Sequence, residues 1–208
     1  MKRRILPLAL AAVALAACST SRGVDLDEPR RVVGSESGVR LDAQIFSERV
    51  GTGSSVRLVW EVSNDRPDAI AIADLVPVVS YERAENTIVV HLGSEVPGND
   101  FVPRLVRIAP GEKKVFEQAA KISLHMPPRT PFGGYPRFLQ IRLSFLGETE
   151  PFESLIGISE NAIRDAELAD QLFTQWVEAN DTIRTNAIPI EWIGADRPIE
   201  GDASRRRF

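Results

Sequence analysis

The sequence predicts a mainly β protein, an antiparallel β-sandwich with one long amphipathic helix inserted before its last strand. Three observations favour this fold class. Apolar and polar residues alternate in about seven short segments, turn residues separate these segments, and a helical period occurs once, near the C-terminus. Short strands joined by turns are typical of sandwiches. The folded domain is expected to cover residues 38–194.

The first two strands are predicted from alternation over 39–45 and 56–63, with Gly- and Ser-rich turn residues at 51–55 between them. Each segment places its apolar side chains on one face, which is the pattern of a half-buried strand. The predicted buried residues are Val39, Leu41, Ala43, Ile45, Val56, Leu58, Trp60 and Val62.

The next apolar stretch, 69–81, changes its alternation phase near Asp74, which predicts a bulge, and Pro77 indicates an edge position. Residues 88–92 and 105–108 are then expected to form strands. They are separated by a loop at 95–100.

Ala109-Pro110-Gly111-Glu112 is predicted to be a turn, because Pro presets its first corner and Gly tolerates a positive φ at the second. A further strand follows through Phe116. This Pro-Gly-Glu turn between two strands resembles connections of bacterial immunoglobulin-like and fibronectin-like modules. The resemblance implies an immunoglobulin-like sandwich.

The proline-rich segment 125–136 is predicted to be a loop, and residues 139–145 give the cleanest alternation of the chain. A period of 3.6 residues then predicts a helix over 159–180, with Ser159 as N-cap and Asn180 near its C-terminal end. Its apolar stripe, which includes Phe173 and Trp176, is expected to pack on the sandwich; binding to a partner is the alternative. Alternation over 186–192 predicts the last strand.

The N-terminus has the pattern of a secretion signal. Basic residues at 2–4 precede an apolar run at 5–15, and the segment 15–18 reads Leu-Ala-Ala-Cys. This segment resembles the signal of bacterial lipoproteins. The resemblance implies cleavage of residues 1–17 and lipid attachment to Cys18, with acylation of the new amino group. Because one acyl chain binds a membrane only marginally, two or three chains would give a durable anchor.

Ser19 follows the acylated cysteine, and in Gram-negative lipoproteins of this type a residue other than Asp implies transfer to the outer membrane. We therefore expect the domain to face the periplasm from the outer membrane, with the inner membrane as the lesser alternative. The polar segment 18–37 is predicted to be the acylated N-terminus and a flexible tether, and 195–208 a disordered basic tail.

The charge of the chain argues against nucleic acid as a partner. Removal of Lys2, Arg3 and Arg4 lowers the basic count from 25 to 22 against 29 acidic residues, a net charge of −7. Binding to nucleic acid depends on basic patches, so we predict no such partner. The basic run Arg205–Arg207 could still contact lipid phosphate or an acidic protein surface, although a solvated tail is the simpler interpretation.

Residues with catalytic chemistry are few. The two histidines, His91 and His125, have no metal-ligand spacing, and no serine-hydrolase elbow or phosphate-binding loop occurs. His91 is expected on the outer face of its strand. We predict no catalytic, cofactor-binding or metal-binding residues.

Gly133-Gly134 lies between Phe132 and Tyr135, and these two aromatic residues are the candidate interaction site. The alternative is that both rings fold onto the core. Two functions remain open. The first is a non-catalytic envelope lipoprotein that binds, assembles or scaffolds an envelope protein partner. The second is a small hydrolase or sugar-binding protein that acts on envelope polymers.

Overall fold

The computed structural model describes residues 30–94, 100–124, 135–158 and 162–193, which form fifteen strands, one α-helix and one 3-10 helix. The helix α1 spans Ala166–Ala179 and the 3-10 helix spans Glu150–Leu155. In chain order the strands are β1 (Arg31–Glu36), β2 (Val39–Ile45), β3 (Arg49–Val50), β4 (Ser55–Asn64), β5 (Ile70–Ala73), β6 (Val78–Glu82), β7 (Thr87–Leu92), β8 (Phe101–Pro103), β9 (Leu105–Ile108), β10 (Lys113–Lys121), β11 (Phe138–Leu146), β12 (Ala162–Arg164), β13 (Asn180–Arg184), β14 (Ile188–Pro189) and β15 (Glu191–Trp192).

The predicted β-sandwich with one helix is confirmed. A four-stranded sheet has the order β1-β2-β4-β10, and a seven-stranded sheet has the order β6-β7-β11-β5-β9, with β13 and β14 also paired to β11. All pairs in these sheets are antiparallel except β7 with β11. The alternating residues of both sheets enclose one core, which includes Leu41 and Trp60 from the small sheet and Val90 and Leu143 from the large sheet.

The N-terminal boundary of the domain differs from the prediction. Residues 31–36, expected within the tether, form β1 and pair with residues 39–44 of β2 through a hairpin whose turn is Ser37-Gly38. Both turn residues have positive φ, 49° and 77°, as a two-residue hairpin turn requires. A Cβ at Gly34 would lie 2.5 Å from the backbone oxygen of Arg184, so glycine permits the close approach of β1 to β13.

The stretch from 69 to 81 is two strands rather than one strand with a bulge. The chain leaves the large sheet after Ala73, where the backbone N–H of Asp74 donates to the carbonyl of Arg104 at 2.9 Å. It then re-enters as β6, at the opposite edge of the same sheet. The phase change near Asp74 therefore marks a change of position in the sheet, and the buried Pro77 lies in the connection.

The helix is shorter than predicted. It begins at Ala166, and its N-cap is Asp165, whose Oδ1 accepts from the backbone N–H of Leu168 at 3.0 Å; Ser159 lies outside the described residues. Residues 162–164 form β12 and pair with β8 instead of adding a first helical turn. The two apolar residues of this segment, Ala162 and Ile163, fit either a strand or a helix, and the carboxylate cap at Asp165 fixes the start of the helix. The end of the helix at Asn180 is confirmed.

The helix precedes the last described strands, as predicted. β13 follows it directly, and two short strands, β14 and β15, replace the single strand expected over 186–192. β13 and β14 pair with β11, and β15 pairs in parallel with β3. Pro189 occupies β14, a strand of only two residues, and the lack of a backbone N–H in proline limits further pairing there.

The helix forms a partial third layer on the outer face of the large sheet. Trp176 packs edge-on against Phe152 of the 3-10 helix, with ring centroids 5.6 Å apart. Together with β8, these elements cover the end of the sheet formed by β5 and β9 and enclose a second apolar core, which includes Ala71, Leu105 and Leu146. The predicted packing of the helical stripe on the sandwich is therefore confirmed for Trp176.

Candidate functional site

The outer face of β11 divides the surface of the large sheet into two parts. Its outward-facing residues run from Gln140 through Arg142 and Ser144 to Leu146, and Leu146 alone enters the second core. The apolar end lies under the helical layer. The other end carries polar side chains from β6, β7, β11 and β13. Each part contains one candidate site.

The first candidate is an apolar groove between β8 and α1, which we call the β8/α1 groove. It is shallow: its cavity volume is about 10 Å³, roughly what one water molecule needs. Phe101, at the mouth, is 45% exposed, and Val177, one helical turn from Phe173, is 59% exposed. The residues that line the groove are Phe101, Val102, Pro103, Ala169, Leu172, Phe173 and Trp176.

The border of the β8/α1 groove is acidic. α1 carries Glu167, Asp170 and Glu178 and has no basic residue among its fourteen positions. Asp170 lies three residues before Phe173, so the exposed carboxylate and the groove ring share one side of the helix. Arg164, on the adjoining β12, pairs with Asp100 at 3.8 Å.

The second candidate is a polar cluster on the open half of the large sheet. Ser80 on β6 and His91 on β7 are diagonal neighbours on this face, because Val78 is opposite His91 and Ser80 is opposite Val89. The Oγ of Ser80 lies 2.8 Å from the Nε2 of His91. A serine hydroxyl bonded to an imidazole is an arrangement that supports nucleophilic catalysis.

Burial and charged neighbours set the protonation of His91 in this pair. Burial lowers the pKa of His91, and the nearby Arg142 guanidinium lowers it further, so the imidazole is neutral at pH 7. Glu82 opposes this effect but is itself bound, with its Oε1 2.8 Å from Arg142 and its Oε2 3.9 Å from Arg184. A neutral imidazole can accept a proton, whereas Glu82 is committed to the two arginines.

The outer face of the small sheet holds a buried ion-pair network. Asp42 is only 5% exposed, and its carboxylate binds both Arg31 of β1 and Arg40 of β2. Burial alone would raise the pKa of Asp42, but the hydrogen bonds from Arg40 and Arg31 outweigh burial and hold the pKa below its usual value. Because every charge here is paired, we assign this network to the attachment of β1.

Several predicted site residues lie outside the described part of the chain: Cys18, His125, Phe132 and Arg205–Arg207. Tyr135 is described. Its ring is half-buried and packs against the main core, which matches the alternative in which the aromatic residues fold inward.

The contact between Ser80 and His91 was not predicted from the sequence. His91 was expected on the outer face of its strand, and it does lie there, half-buried. The signal was present in the segment between the strands: a four-residue turn at 83–86 fixes the register of the β6–β7 hairpin, and that register brings Ser80 beside His91.

Two further findings concern only the residues that the structure describes. No group of three or more His, Cys, Asp or Glu side chains is arranged to hold a metal ion. No helix among them combines the length and apolar character needed to cross a bilayer.

Comparison with known proteins gave no similarity from which to infer a role. A scan of family models and searches of curated proteins and of solved structures found no match to this chain.

Proposed function

We propose that this protein is a lipid-anchored lipoprotein of the cell envelope that acts by contact with another envelope protein, as an assembly or scaffolding module, and not by catalysis. Acylation of Cys18 would hold it on the outer membrane with the domain in the periplasm. The observation that carries the binding role is the β8/α1 groove, an apolar depression at the surface with Phe101 at its mouth.

The residues that line the groove support a binding role and not a catalytic one. Ligand and active sites combine an apolar wall with a few convergent polar groups and commonly hold about 300–1,000 Å³. Every side chain that lines this groove is apolar, and its cavity volume of about 10 Å³ is far below that range. A shallow apolar surface of this kind suits contact with an apolar side chain of a protein partner, and such contacts at the centre of an interface supply much of its binding energy.

The charge of the border indicates the chemistry of the partner. Asp170 and the other carboxylates of α1 face solvent without any lysine or arginine on the same helix. A segment with an aromatic or aliphatic anchor flanked by basic residues would match both the lining and the border. We therefore propose a partner segment of this composition.

Quantitative capture from envelope extracts tests the groove. The chain from residue 18 is compared with the double variant Phe101→Ala, Phe173→Ala. Removal of interface aromatic residues commonly costs 2 kcal/mol or more, so we expect capture of the specific partner to fall at least about tenfold. Phe46→Ala is the matched control, because Phe46 is also about half exposed (50%) but lies on the small sheet, beside Arg57. Equal capture by both variants would reject the groove as the contact surface.

The lipid anchor has its own test. Cys18→Ser removes the thiol that would accept the diacylglyceryl group, so we expect the protein to move from the membrane fraction to the soluble fraction and to lose the mass of its lipid. Ser19→Asp leaves the thiol in place, and we expect that variant to keep its lipid and remain at the inner membrane. An unchanged mass and membrane association of Cys18→Ser would refute the anchor.

The alternative function, a small hydrolase of envelope polymers, rests on one specific observation. The Ser80 hydroxyl is hydrogen-bonded to a neutral His91, so the imidazole could accept the hydroxyl proton while Ser80 attacks an ester or amide carbonyl. This pair lies in mid-strand and not on the sharp strand-to-helix turn that exposes the nucleophile of α/β-hydrolases.

A serine-directed fluorophosphonate probe separates the two functions. Under the contact proposal we expect no labelling above that of Ser80→Ala. Stoichiometric labelling of the chain, abolished by Ser80→Ala and reduced by His91→Ala, would instead establish the hydrolase. Ser94→Ala is the control, because Ser94 also bears a part-buried hydroxyl on this side of the sheet, bonded to Ser144 at 3.0 Å.

A further inference from the structure

We infer that the C-terminal residues Arg205–Phe208 of this chain bind over its own β8/α1 groove, with the ring of Phe208 against Phe101 and Phe173 and the three arginines on the acidic border. The inference rests on the groove of the proposed function and adds a regulation to it. While the tail is bound, the partner segment cannot enter.

The composition of the tail matches the groove in both respects. The chain ends in Arg-Arg-Arg-Phe, one aromatic ring directly after three positive charges. The groove offers an apolar lining with Phe101 and Phe173, and Asp170 borders it on α1. An aromatic ring placed against these apolar side chains loses part of its water-exposed area, and the adjacent guanidinium groups can pair with carboxylates.

The remaining acidic residues near the groove favour the same occupant. Asp165 caps the helix at the end that adjoins β12, and Glu167 lies in the first turn. Arg164 is exposed nearby but is paired with Asp100. The surroundings of the groove are therefore net negative. The carboxylates of α1 have no basic neighbour on the same helix, and the three arginines of the tail would neutralise them.

The length of the chain permits this contact. Fifteen residues follow Ile193, the last described residue, and they can span up to about 50 Å. β14 pairs with the first residues of β11, whereas the groove lies beyond the last residue of that strand. Eight residue steps along β11 correspond to about 27 Å, so the tail can pass the sheet and still reach α1.

Paramagnetic broadening tests the contact. The only cysteine of the chain is Cys18, so a chain from residue 18 with Cys18→Ser and Ser204→Cys carries a spin label at one position. We expect the amide signals of Ala169 and Phe173 and the indole signal of Trp176 to lose at least half their intensity. Phe208→Ala in the same labelled chain should restore them. The indole signal of Trp60, in the main core, is the internal control and should keep its intensity.

Charge variants and a mixing experiment complete the test. Asp170→Lys should weaken the tail contact by about two- to fivefold, the range of an exposed ion pair. Glu85→Lys, in the remote β6–β7 turn, should have no effect. A mixture of spin-labelled chain and isotope-labelled, spin-free chain should show no broadening, because the contact is within one molecule.

Two results would overturn the inference. Groove signals that are insensitive to the label and to Phe208→Ala would show that the tail does not enter. Broadening in the mixed sample would show that the occupant is the tail of a second copy. If the inference holds, Phe208→Ala should also raise partner capture at least twofold. Because the broadening needs no partner, its failure is distinguishable from failure of the proposed function.

Discussion

The indole of Trp60 stacks on the ring of Phe116 across β4 and β10, with ring centroids 4.0 Å apart and planes inclined by 12°. The two residues are paired directly in the register of these strands. The indole Nε1–H of Trp60 is buried without a hydrogen-bond partner among the described residues. The contribution of Trp60 therefore comes from packing and not from its polar atom.

Removal of this side chain should destabilise the domain. We expect Trp60→Ala and Leu143→Ala each to lower the free energy of unfolding by about 2–5 kcal/mol, because both truncations leave a cavity in the main core. Trp60→Phe should lose less, since it also removes a buried N–H that has no partner. Urea unfolding of the chain measures all three. Val76→Ala, at a site 80% exposed, is the control, and its effect should stay below about 0.5 kcal/mol.

Asp42 should stabilise the fold at pH values above its normal pKa. Asp42→Asn should lower the free energy of unfolding at pH 7 by roughly 1.5–3 kcal/mol, the range for hydrogen bonds to charged groups. Because the folded pKa is lowered, the stabilisation is present above the unfolded value of about 4 and is lost as the pH falls through the folded value. The variant should therefore lose less stability than the native chain below pH 4.

The exposed pair Arg57–Glu117 is the control for Asp42. Its atoms approach to 2.5 Å, but both side chains are about 60% exposed, so Glu117→Gln should change stability by less than about 1 kcal/mol. Equal effects of Asp42→Asn and Glu117→Gln would contradict the assignment of the Asp42 network to the attachment of β1.

His91 should make stability depend on pH near neutrality. Its folded pKa lies below the ordinary value of 6.5, so the neutral ring stabilises the fold above that pH, and the stabilisation is lost as the pH falls towards the folded value. We expect His91→Gln to flatten the change in melting temperature between pH 7 and pH 5. A native chain whose melting temperature is already flat over this range would refute the prediction.

The candidate interaction site at Phe132 and Tyr135, which the sequence predicts to be the tip of a loop, can be tested one residue at a time. Tyr135 packs against the main core, so Tyr135→Ala should lower stability by about 1–2 kcal/mol whatever its role in binding. Phe132→Ala is therefore the informative variant: if the tip is a second contact surface, partner capture should fall at least about tenfold while the melting temperature stays constant. Undiminished capture would remove the tip as a candidate.

The regular alternation of the long strands made them predictable from the sequence. The alternating apolar residues of β2, β4, β7 and β11 are all buried, and the predicted bounds of these strands agree with the structure within two residues. The turn at Pro110-Gly111 is also confirmed, with Gly111 at a φ of 72°. In these segments the local pattern and the tertiary environment indicate the same element.

Other features depend on contacts that a local pattern does not contain. β1 has only two apolar residues, and it is held by pairing with β2 and by the ion pair between Arg31 and Asp42. The β8/α1 groove joins residues about seventy positions apart, and the pairing of β8 with β12 keeps residues 162–164 out of the helix. Such pairings carry no periodic signal in either segment alone.

The position of β11 has a consequence for how the protein reaches its native state. This one strand pairs with β5, β7, β13 and β14, whose residues range from Ile70 to Pro189. Non-local pairing of this kind slows folding, because a long loop must close before any contact forms. A chain interrupted anywhere between β7 and β13 would leave β11 with a bare edge open to aggregation. We therefore expect that the two halves of this protein do not fold as separate units when they are expressed apart.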